Sequence, residues 1–311
     1  MKNLLLAVSV LTILTVSFIW FSACATVEKG VVDTLAAQGK ISEQDKTAIL
    51  KTTAALRSTF ADITEEEEYY IGRSVSALIL SKYKVYDRPD LTAYVNRVGQ
   101  AVVSFSSRPE TYAGYHFLIL DSDEVNAMAA PGGFIFITKG LLKTCRDEEM
   151  LAAVLAHEVG HVAARHGLQS IKKARLMDAF KLLASEAASR AGSEEFKKLV
   201  GAFDGLLGDI LSVLVERGYD RKFEYEADSL SVKFLAQTGY SPSGLSAFLE
   251  QLEQEMPATT AGARGWFRTH PLPADRLEKI NREIASAAVS VPAASISVRQ
   301  ARFQKMIQLA N

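Results

Sequence analysis

The spacing of apolar residues along the chain predicts helices and two short strands. Apolar side chains recur at helical spacing in several segments, of which the best defined are 64–79, 90–105, 147–166, 223–237 and 243–256. Two other segments are short apolar runs of strand length, 116–120 and 134–138. The turn residues Pro131, Gly132 and Gly133 stand directly before the second run. This pattern predicts an α+β fold that is mostly helical and contains a small sheet.

Composition and charge narrow the range of functions. The chain has 311 residues, of which 48% are hydrophobic, enough for one large or two small domains. Its 35 basic and 36 acidic residues nearly cancel, so no excess of positive charge is available for nucleic acid, and we expect no such partner. The two cysteines, Cys24 and Cys145, are too few for a disulfide framework. We interpret Cys145 as a structural free thiol.

The first 23 residues have the pattern of a secretory signal peptide. Lys2 is the only charged residue before Glu28, and the stretch between them is mainly apolar. It ends at Ser22-Ala23-Cys24, which resembles a bacterial lipoprotein box whose cysteine is acylated. An uncleaved N-terminal transmembrane anchor and plain secretion are the alternatives. We expect a periplasmic protein anchored to a membrane by lipid, and Ala25, where an inner-membrane retention signal has aspartate, favours the outer membrane.

The predicted helix 147–166 contains the motif His157-Glu158-Val159-Gly160-His161. Histidines four residues apart lie on one face of a helix, so both rings can bind one metal ion while the glutamate faces the open side of the ion. The neighbouring residues are apolar, which predicts that the helix is buried. Buried imidazoles need partners, and a metal ion satisfies both rings at once. The motif is typical of a catalytic zinc site.

A catalytic zinc site needs a third protein ligand. The extended motif with a third histidine is absent, because its position is Gly167, and His166 is predicted to lie on the opposite side of the helix. Glu224 and Asp228 are four residues apart on one predicted helical face. One of them can bind the metal while the other accepts the outer N–H of a ligand histidine. We assign no such role to Glu226.

Together these residues resemble the M48 peptidases, which are zinc gluzincins, and most closely the periplasmic branch of that family. The resemblance extends over about residues 63–284 and depends on motifs in the same order at 126–127, 131–142, 149–166, 221–228 and 269–276. It implies one zinc ion per chain, and it implies these site residues: His157, His161 and Glu224 as ligands, Glu158 as general base, Asp228 as the partner of a ligand, and His270 and Arg276 in the cleft.

The resemblance also implies a strand that binds substrate. In gluzincins an edge strand above the zinc helix pairs with the extended substrate through main-chain hydrogen bonds. We therefore expect 134–138 to be this edge strand, and the alternative is an internal strand of a small sheet. The residues expected to contact substrate are Phe134, Ile135 and Phe136, with Asn126 and Ala127 at the approach.

These features predict a zinc-dependent endopeptidase that hydrolyses peptide bonds of unfolded or misassembled cell-envelope proteins. Glu158 would activate the attacking water, and His270 would donate a hydrogen bond to the developing oxyanion. The alternative is a chaperone-like assembly factor for outer-membrane proteins in which proteolysis is latent.

We divide the chain into a signal peptide 1–23, an N-terminal helical extension 24–60, an M48-like zinc peptidase domain 61–285 and a C-terminal tail 286–311. The amphipathic end of the tail and the segment 168–222 are each long enough to cover a cleft. We predict that one of them gates the active site.

Overall fold

The computed structural model describes residues 63–170, 205, 207–255, 266–270 and 276–308. All of them belong to the second of the two units of the chain, Ile63–Asn311. The predictions for the signal peptide, for Cys24 and for the extension 24–60 lie outside these residues, as does much of the segment 168–222.

The described part of the chain consists of helices and one small sheet. In chain order the helices are α1 Glu65–Lys82, α2 Pro89–Val103, α3 Lys139–Thr144, α4 Glu148–Ala163, α5 His166–Gln169, α6 Arg221–Thr238, α7 Ser243–Glu255, α8 Trp266–Thr269, α9 Arg276–Ala287 and α10 Ala293–Ile307. The strands are β1 His116–Leu120, β2 Ala127–Ala130 and β3 Phe134–Thr138. The prediction of a mostly helical α+β fold is confirmed. In the described part of the chain, none of the helices has both the length and the apolar character needed to cross a membrane.

Helix α4 runs through the middle of the domain and is buried on nearly every side. Of its residues only Ala163, at its C-terminal end, is not buried. A helix that is apolar around its whole circumference has to be covered on every face, and α2, α6, α7, α10 and β2 pack against it. The helix ends earlier than the predicted residue 166, because Arg165 adopts a left-handed conformation with φ of 58°.

The sheet has three strands in the order β1-β3-β2. β1 runs parallel to β3 with His116 opposite Phe134, and β2 runs antiparallel to β3 with Ala130 opposite Phe134. The prediction that 134–138 is an edge strand is therefore wrong, since β3 is central and its backbone is paired on both sides. The sequence pattern does not predict β2, because Ala127–Ala130 contains no β-branched or aromatic residue.

Helix α1 holds the turn between β2 and β3 in place. Glu68 of α1 is fully buried, and its carboxylate accepts hydrogen bonds from the Gly132 N–H at 3.1 Å, from Arg165 Nε at 2.8 Å and from Arg108 Nη1 at 3.1 Å. Two guanidinium groups offset the cost of burying this carboxylate. The Glu68 side chain thus connects α1 with the turn that precedes β3 and with the side chain of Arg165, just beyond the end of α4.

The tail helix α10 packs at the N-terminal end of α4. Arg302 forms a salt bridge with the fully buried Glu148, and Arg299 Nε lies 2.6 Å from Glu149 Oε1. Glu148 precedes His157 by nine residues, which corresponds to about 13 Å along a helix. The structure therefore places α10 away from the histidine motif, and a covering role for the tail would require this helix to move.

Gly72 of α1 provides a test of this packing. A Cβ atom at Gly72 would lie 1.8 Å from the Pro131 carbonyl oxygen, so Gly72→Ala cannot be accommodated without displacing the turn. Replacing glycine by alanine in a helix ordinarily stabilises by about 1 kcal/mol. We expect Gly72→Ala to destabilise the protein instead, by about 1–3 kcal/mol, because it overpacks the contact between helix and turn. The free energy of unfolding in urea measures this change.

Gly208 is the matched control. It is exposed in a helical stretch, and a Cβ there would meet no atom within 4 Å. Gly208→Ala should leave the unfolding midpoint unchanged or raise it. An equal rise for Gly72→Ala would show that α1 does not hold the turn tightly.

Candidate metal centre

The packing of α4 against α6 brings the histidine motif next to the second predicted ligand segment. Gly160 lies inside the motif, and a Cβ there would lie 3.1 Å from the Ala227 carbonyl oxygen of α6. The absence of a side chain at this position therefore lets the two backbones approach closely. On the same face of α6, Glu224 and Asp228 are buried next to the histidines.

His157, His161, Glu224 and His270 form one group of potential metal ligands. Each offers one ligand atom, and these atoms all lie within 4.8 Å of one another. His157 Nε2 lies 3.1 Å from His161 Nε2 and 3.6 Å from Glu224 Oε2, and His161 Nε2 lies 3.5 Å from Glu224 Oε1. Atoms bound tetrahedrally to one zinc ion at its usual bond lengths are about 3.3 Å apart. The spacing of the donor atoms therefore fits a single metal ion.

The environment of the imidazoles also fits a metal. His157 Nδ1 lies 3.0 Å from Asp228 Oδ1, on the side of the ring away from the other ligands. A proton on Nδ1 would face this carboxylate and leave the Nε2 lone pair directed at the group of ligands. His161 Nε2 faces the same point. Two ring nitrogens in contact with a carboxylate are the donor set of a divalent metal such as zinc.

Glu158 is buried beside this group with no partner of its own. Among the described residues neither of its carboxylate oxygens has a hydrogen-bond partner. The His270 ring lies beside it, with Nε2 3.5 Å from Glu158 Oε1. Burial raises the pKa of Glu158, so this carboxylate binds a proton more readily than one in water.

The electrostatics of Glu224 and His157 differ from those of Glu158. Burial acts to raise the pKa of Glu224, but His270 and Arg276 outweigh it, and the pKa lies well below its ordinary value. Glu224 is therefore an anion that is ready to bind a cation. Burial acts to lower the pKa of His157, but Asp228 and Glu224 outweigh it and raise the pKa to about 9. A metal ion bound at Nε2 would replace that proton.

Arg276 of α9 connects the two buried carboxylates of α6, Glu224 and Asp228. It is fully buried, and it donates to Asp228 from Nε at 2.7 Å and from Nη2 at 2.9 Å. Its Nη1 lies 3.0 Å from Glu224 Oε2. A bidentate arginine fixes the plane of the carboxylate that it binds, so Arg276 orients Asp228 against His157 and also neutralises Glu224.

His166 and Glu226 also contact the centre, although the sequence pattern indicates no role for either. His166 Nδ1 lies 2.8 Å from His161 Nδ1, and its Nε2 lies 3.2 Å from Glu226 Oε2. His166 belongs to α5 and not to α4, so the angle around a single helix does not apply to it. No rule of spacing predicts this contact, because it depends on the left-handed residue Arg165 between the two helices.

Two aromatic rings close the centre. Tyr219 stacks on His161 with ring centroids 4.1 Å apart, and Trp266 stacks on His270 with centroids 4.2 Å apart. The four potential ligands and Glu158 are each at most 2% exposed. Neither aromatic residue is part of a motif that signals this contact.

The predicted substrate residues separate into two groups. Asn126 is fully buried at the start of β2, and its Oδ1 accepts a hydrogen bond from the Thr269 hydroxyl at 3.0 Å, next to His270. Ala127 is the first residue of β2. Phe134, Ile135 and Phe136 lie on the central strand β3, whose backbone is already paired, so they cannot pair with a substrate.

The fold and the centre define the class of protein. Residues 89–284 match the model of peptidase family M48, so this chain belongs to that family of metallopeptidases. Family membership implies a metal ion, and the group of potential ligands described above lies within the matched residues.

Named relatives extend this comparison. The chain is 29% identical to the beta-barrel assembly-enhancing protease of Escherichia coli K12 over 61% of its own length and 38% of that protein. It is 28% identical to the metalloprotease LoiP of the same strain, over 64% of this chain and 71% of LoiP. It is also 28% identical to the mitochondrial metalloendopeptidase OMA1 of Schizosaccharomyces pombe, over 75% of this chain and 66% of OMA1. The chain thus spans less than half of the beta-barrel assembly-enhancing protease.

Asp228 provides a test of how the centre is ordered. Asp228→Asn keeps the size of the side chain but removes the charge that faces His157. We expect the affinity for zinc to fall about 10- to 100-fold, the usual effect of losing a carboxylate behind a ligand histidine. Competition with a chromogenic chelator measures this affinity.

The matched control is Asp147→Asn at the other end of α4, where Asp147 accepts the Met150 N–H at 2.8 Å. Asparagine caps a helix as well as aspartate does, so zinc affinity should not change. An unchanged affinity for Asp228→Asn as well would show that His157 is held in place without this carboxylate.

Proposed function

We propose that this chain is a zinc-dependent endopeptidase that hydrolyses peptide bonds of unfolded or misassembled cell-envelope proteins. The observation that carries the proposal is the buried group of two imidazoles and one carboxylate beside the buried carboxylate of Glu158, which accepts no hydrogen bond from the described residues. In this proposal His157, His161 and Glu224 hold the metal, and Asp228 and Arg276 keep the ligands oriented. A scaffold protein has no use for a buried carboxylate that lacks a hydrogen-bond donor, whereas a hydrolase needs a general base beside its metal.

Zinc is the proposed metal because of the donor set. Two imidazoles and a carboxylate are the ligands of catalytic zinc in the metallopeptidases that carry this motif. When bound, zinc supplies a Lewis acid that polarises the scissile carbonyl and makes water more acidic.

Glu158 is the proposed general base. Its buried carboxylate would accept the proton of the attacking water at one oxygen and pass that proton to the leaving amine. The raised pKa of Glu158 suits both steps, because an acid that is too strong would not hold the proton between them.

His270 belongs to the proposed catalytic groups, but its position constrains how it acts. Its Nδ1 lies 3.0 Å from Glu224 Oε1, within the group of ligands, and its Nε2 faces Glu158. A metal held by four protein ligands has no place for substrate. Donation of a hydrogen bond to the oxyanion therefore requires His270 to leave the ligand group.

Among the described residues no strand pairs with the outer edge of β2, and this free edge replaces β3 as the proposed substrate strand. The Thr138 N–H donates to the Asn126 carbonyl at 3.0 Å, which sets the alternation of bonds between β2 and β3. The backbone groups of Ala127 and Ala129 therefore point away from β3, toward the free edge. A substrate in extended conformation would add there as a further strand, through bonds that are indifferent to its sequence.

The proposed substrate class is based on the names of the relatives, and the proposed location is based on the predicted signal peptide 1–23. The beta-barrel assembly-enhancing protease carries both assembly and proteolysis in its name. An assembly factor with latent proteolysis is the second candidate, and the burial of every proposed ligand favours latency. We propose a periplasmic location with the chain anchored by a lipid on Cys24, in the outer membrane, and a peptidase domain over 61–285.

Measurement of metal content together with casein cleavage tests the peptidase. Full-length protein should bind one zinc ion and cleave casein. Glu158→Gln should keep the zinc ion and lose about 10²- to 10⁴-fold in turnover, because only the proton acceptor is removed. His157→Ala should lose the metal.

Glu149→Gln is the control, since Glu149 lies on the same helix but contacts Arg299 at the far end. It should retain both metal and turnover. Zinc in the wild type, Glu158→Gln and Glu149→Gln without cleavage by any of them would favour the assembly factor. No zinc in the wild type, or zinc retained by His157→Ala, would refute the site.

Incorporation of radiolabelled palmitate in a bacterial host tests the anchor. Cys24→Ala should abolish labelling and move the protein from the membrane fraction to the soluble fraction. Cys145→Ala removes the other cysteine, which is buried, and should keep the label. Labelling that persists in Cys24→Ala would show that Cys24 is not the acylated residue.

A further inference from the structure

Tyr219 bonds to the free edge of β2. Its hydroxyl donates to the Ala129 carbonyl at 3.3 Å. This carbonyl is one of the groups that point away from β3, so it is one that an added strand would use. A substrate backbone and the Tyr219 hydroxyl therefore compete for the same acceptor.

The ring of Tyr219 also covers a proposed ligand. It lies almost parallel to the His161 imidazole, with an angle of 14° between the planes and centroids 4.1 Å apart. Tyr219 itself is only 5% exposed. One side chain thus blocks both the edge that would hold the substrate and the face of a ligand beside which the scissile bond would lie.

The backbone of this segment is joined to the turn that carries His270. The Tyr219 N–H donates to the Thr269 carbonyl at 3.2 Å, and the Thr269 hydroxyl donates to Asn126 at 3.0 Å. Gly218 has φ of 77°, and a Cβ there would lie 2.3 Å from the Thr269 carbonyl oxygen. The backbones of the two segments therefore lie in direct contact, without intervening side chains.

The segment before Gly218 is suited to such a movement. Val213–Arg217 is π-helical, a conformation that is rare and less stable than the α-helix. Gly218 follows directly, with a backbone conformation that residues other than glycine rarely adopt. A π-helical turn next to a glycine is a place where the backbone can bend, although Val213, Leu214 and Val215 of this turn are buried and would have to repack.

We propose that Gly218 and Tyr219, together with the turn Trp266–His270, form a cover that closes the centre by occupying the Ala129 carbonyl, and that this cover opens as one unit around Gly218 to admit substrate. The proposal rests on the proposed peptidase function, because the competitor for Ala129 is a peptide backbone. It gives the closed centre a specific physical cause, namely a tyrosine hydroxyl in the place of a substrate amide.

Tyr219→Phe removes the hydroxyl and leaves the ring on His161. The closed state then loses one neutral hydrogen bond, which shifts an equilibrium between closed and open states about two- to tenfold. We expect turnover of a short peptide by the zinc-loaded full-length protein to rise by this factor. Hydrogen–deuterium exchange of the amides in 213–219 should rise by the same factor, because exchange of these amides depends on the same opening.

Tyr115→Phe is the matched control. Tyr115 is 3% exposed, and its hydroxyl donates to the Arg108 carbonyl at 2.8 Å, so the substitution removes the same kind of bond at a different site. It should change neither turnover nor exchange in 213–219.

The possible results test the proposed cover and the proposed peptidase function separately. Equal rises in turnover and exchange support the cover. A fall in turnover would overturn it and make Tyr219 a donor to the reacting groups, and no change in either quantity while the wild type cleaves peptide would also overturn it. A rise in exchange with no cleavage by any variant would support the cover and refute the peptidase.

Discussion

The burial of two carboxylates one turn apart on α6 is the constraint on which the metal centre depends. Glu224 and Asp228 cannot remain ionised in the interior unless positive groups face them. Arg276 supplies one such group to both, and it comes from α9, while the histidines come from α4. The three helices are therefore mutually dependent, because the buried carboxylates of α6 are faced by the guanidinium of α9 and by the imidazoles of α4.

The same burial explains why the centre is closed. A desolvated group of ligands binds a metal strongly, but it also excludes the substrate, so access requires an element that can leave at low cost. In the proposed cover Tyr219 is held by its bond to Ala129 and by stacking on His161, while Trp266 is fully buried and stacks on His270. A closed centre is also what an assembly factor with latent proteolysis would need. If the proposed function and the proposed cover both hold, the endopeptidase and the assembly factor would differ in how often the cover opens, and not in the chemistry beneath it.

Local patterns predicted the elements whose cause is local. Helix α1, in the segment 64–79 that the apolar spacing predicts, begins at a capping box in which the Glu67 N–H donates to Thr64 Oγ1 at 3.1 Å. The family resemblance, confirmed by the match over 89–284, predicted a zinc helix and a partner helix. Strand β2 was beyond such reasoning, because Ala127–Ala130 has no strand propensity, and its pairing with β3 is what makes it a strand. The sequence therefore indicates β3 as the edge strand, and the pairing of β2 with β3 makes β3 the central strand instead.

The sequence by itself determined which residues can share one face of a helix, because helical periodicity is a property of the backbone. His157 with His161, and Glu224 with Asp228, follow from that alone. Only the tertiary structure decided which side chains meet across elements: Arg276 with both acids, His166 behind His161, Tyr219 over His161, and β2 at the free edge of the sheet. Those contacts join residues far apart in the chain or separated by an unusual turn. Their geometry is set by how the helices pack, which no local spacing encodes.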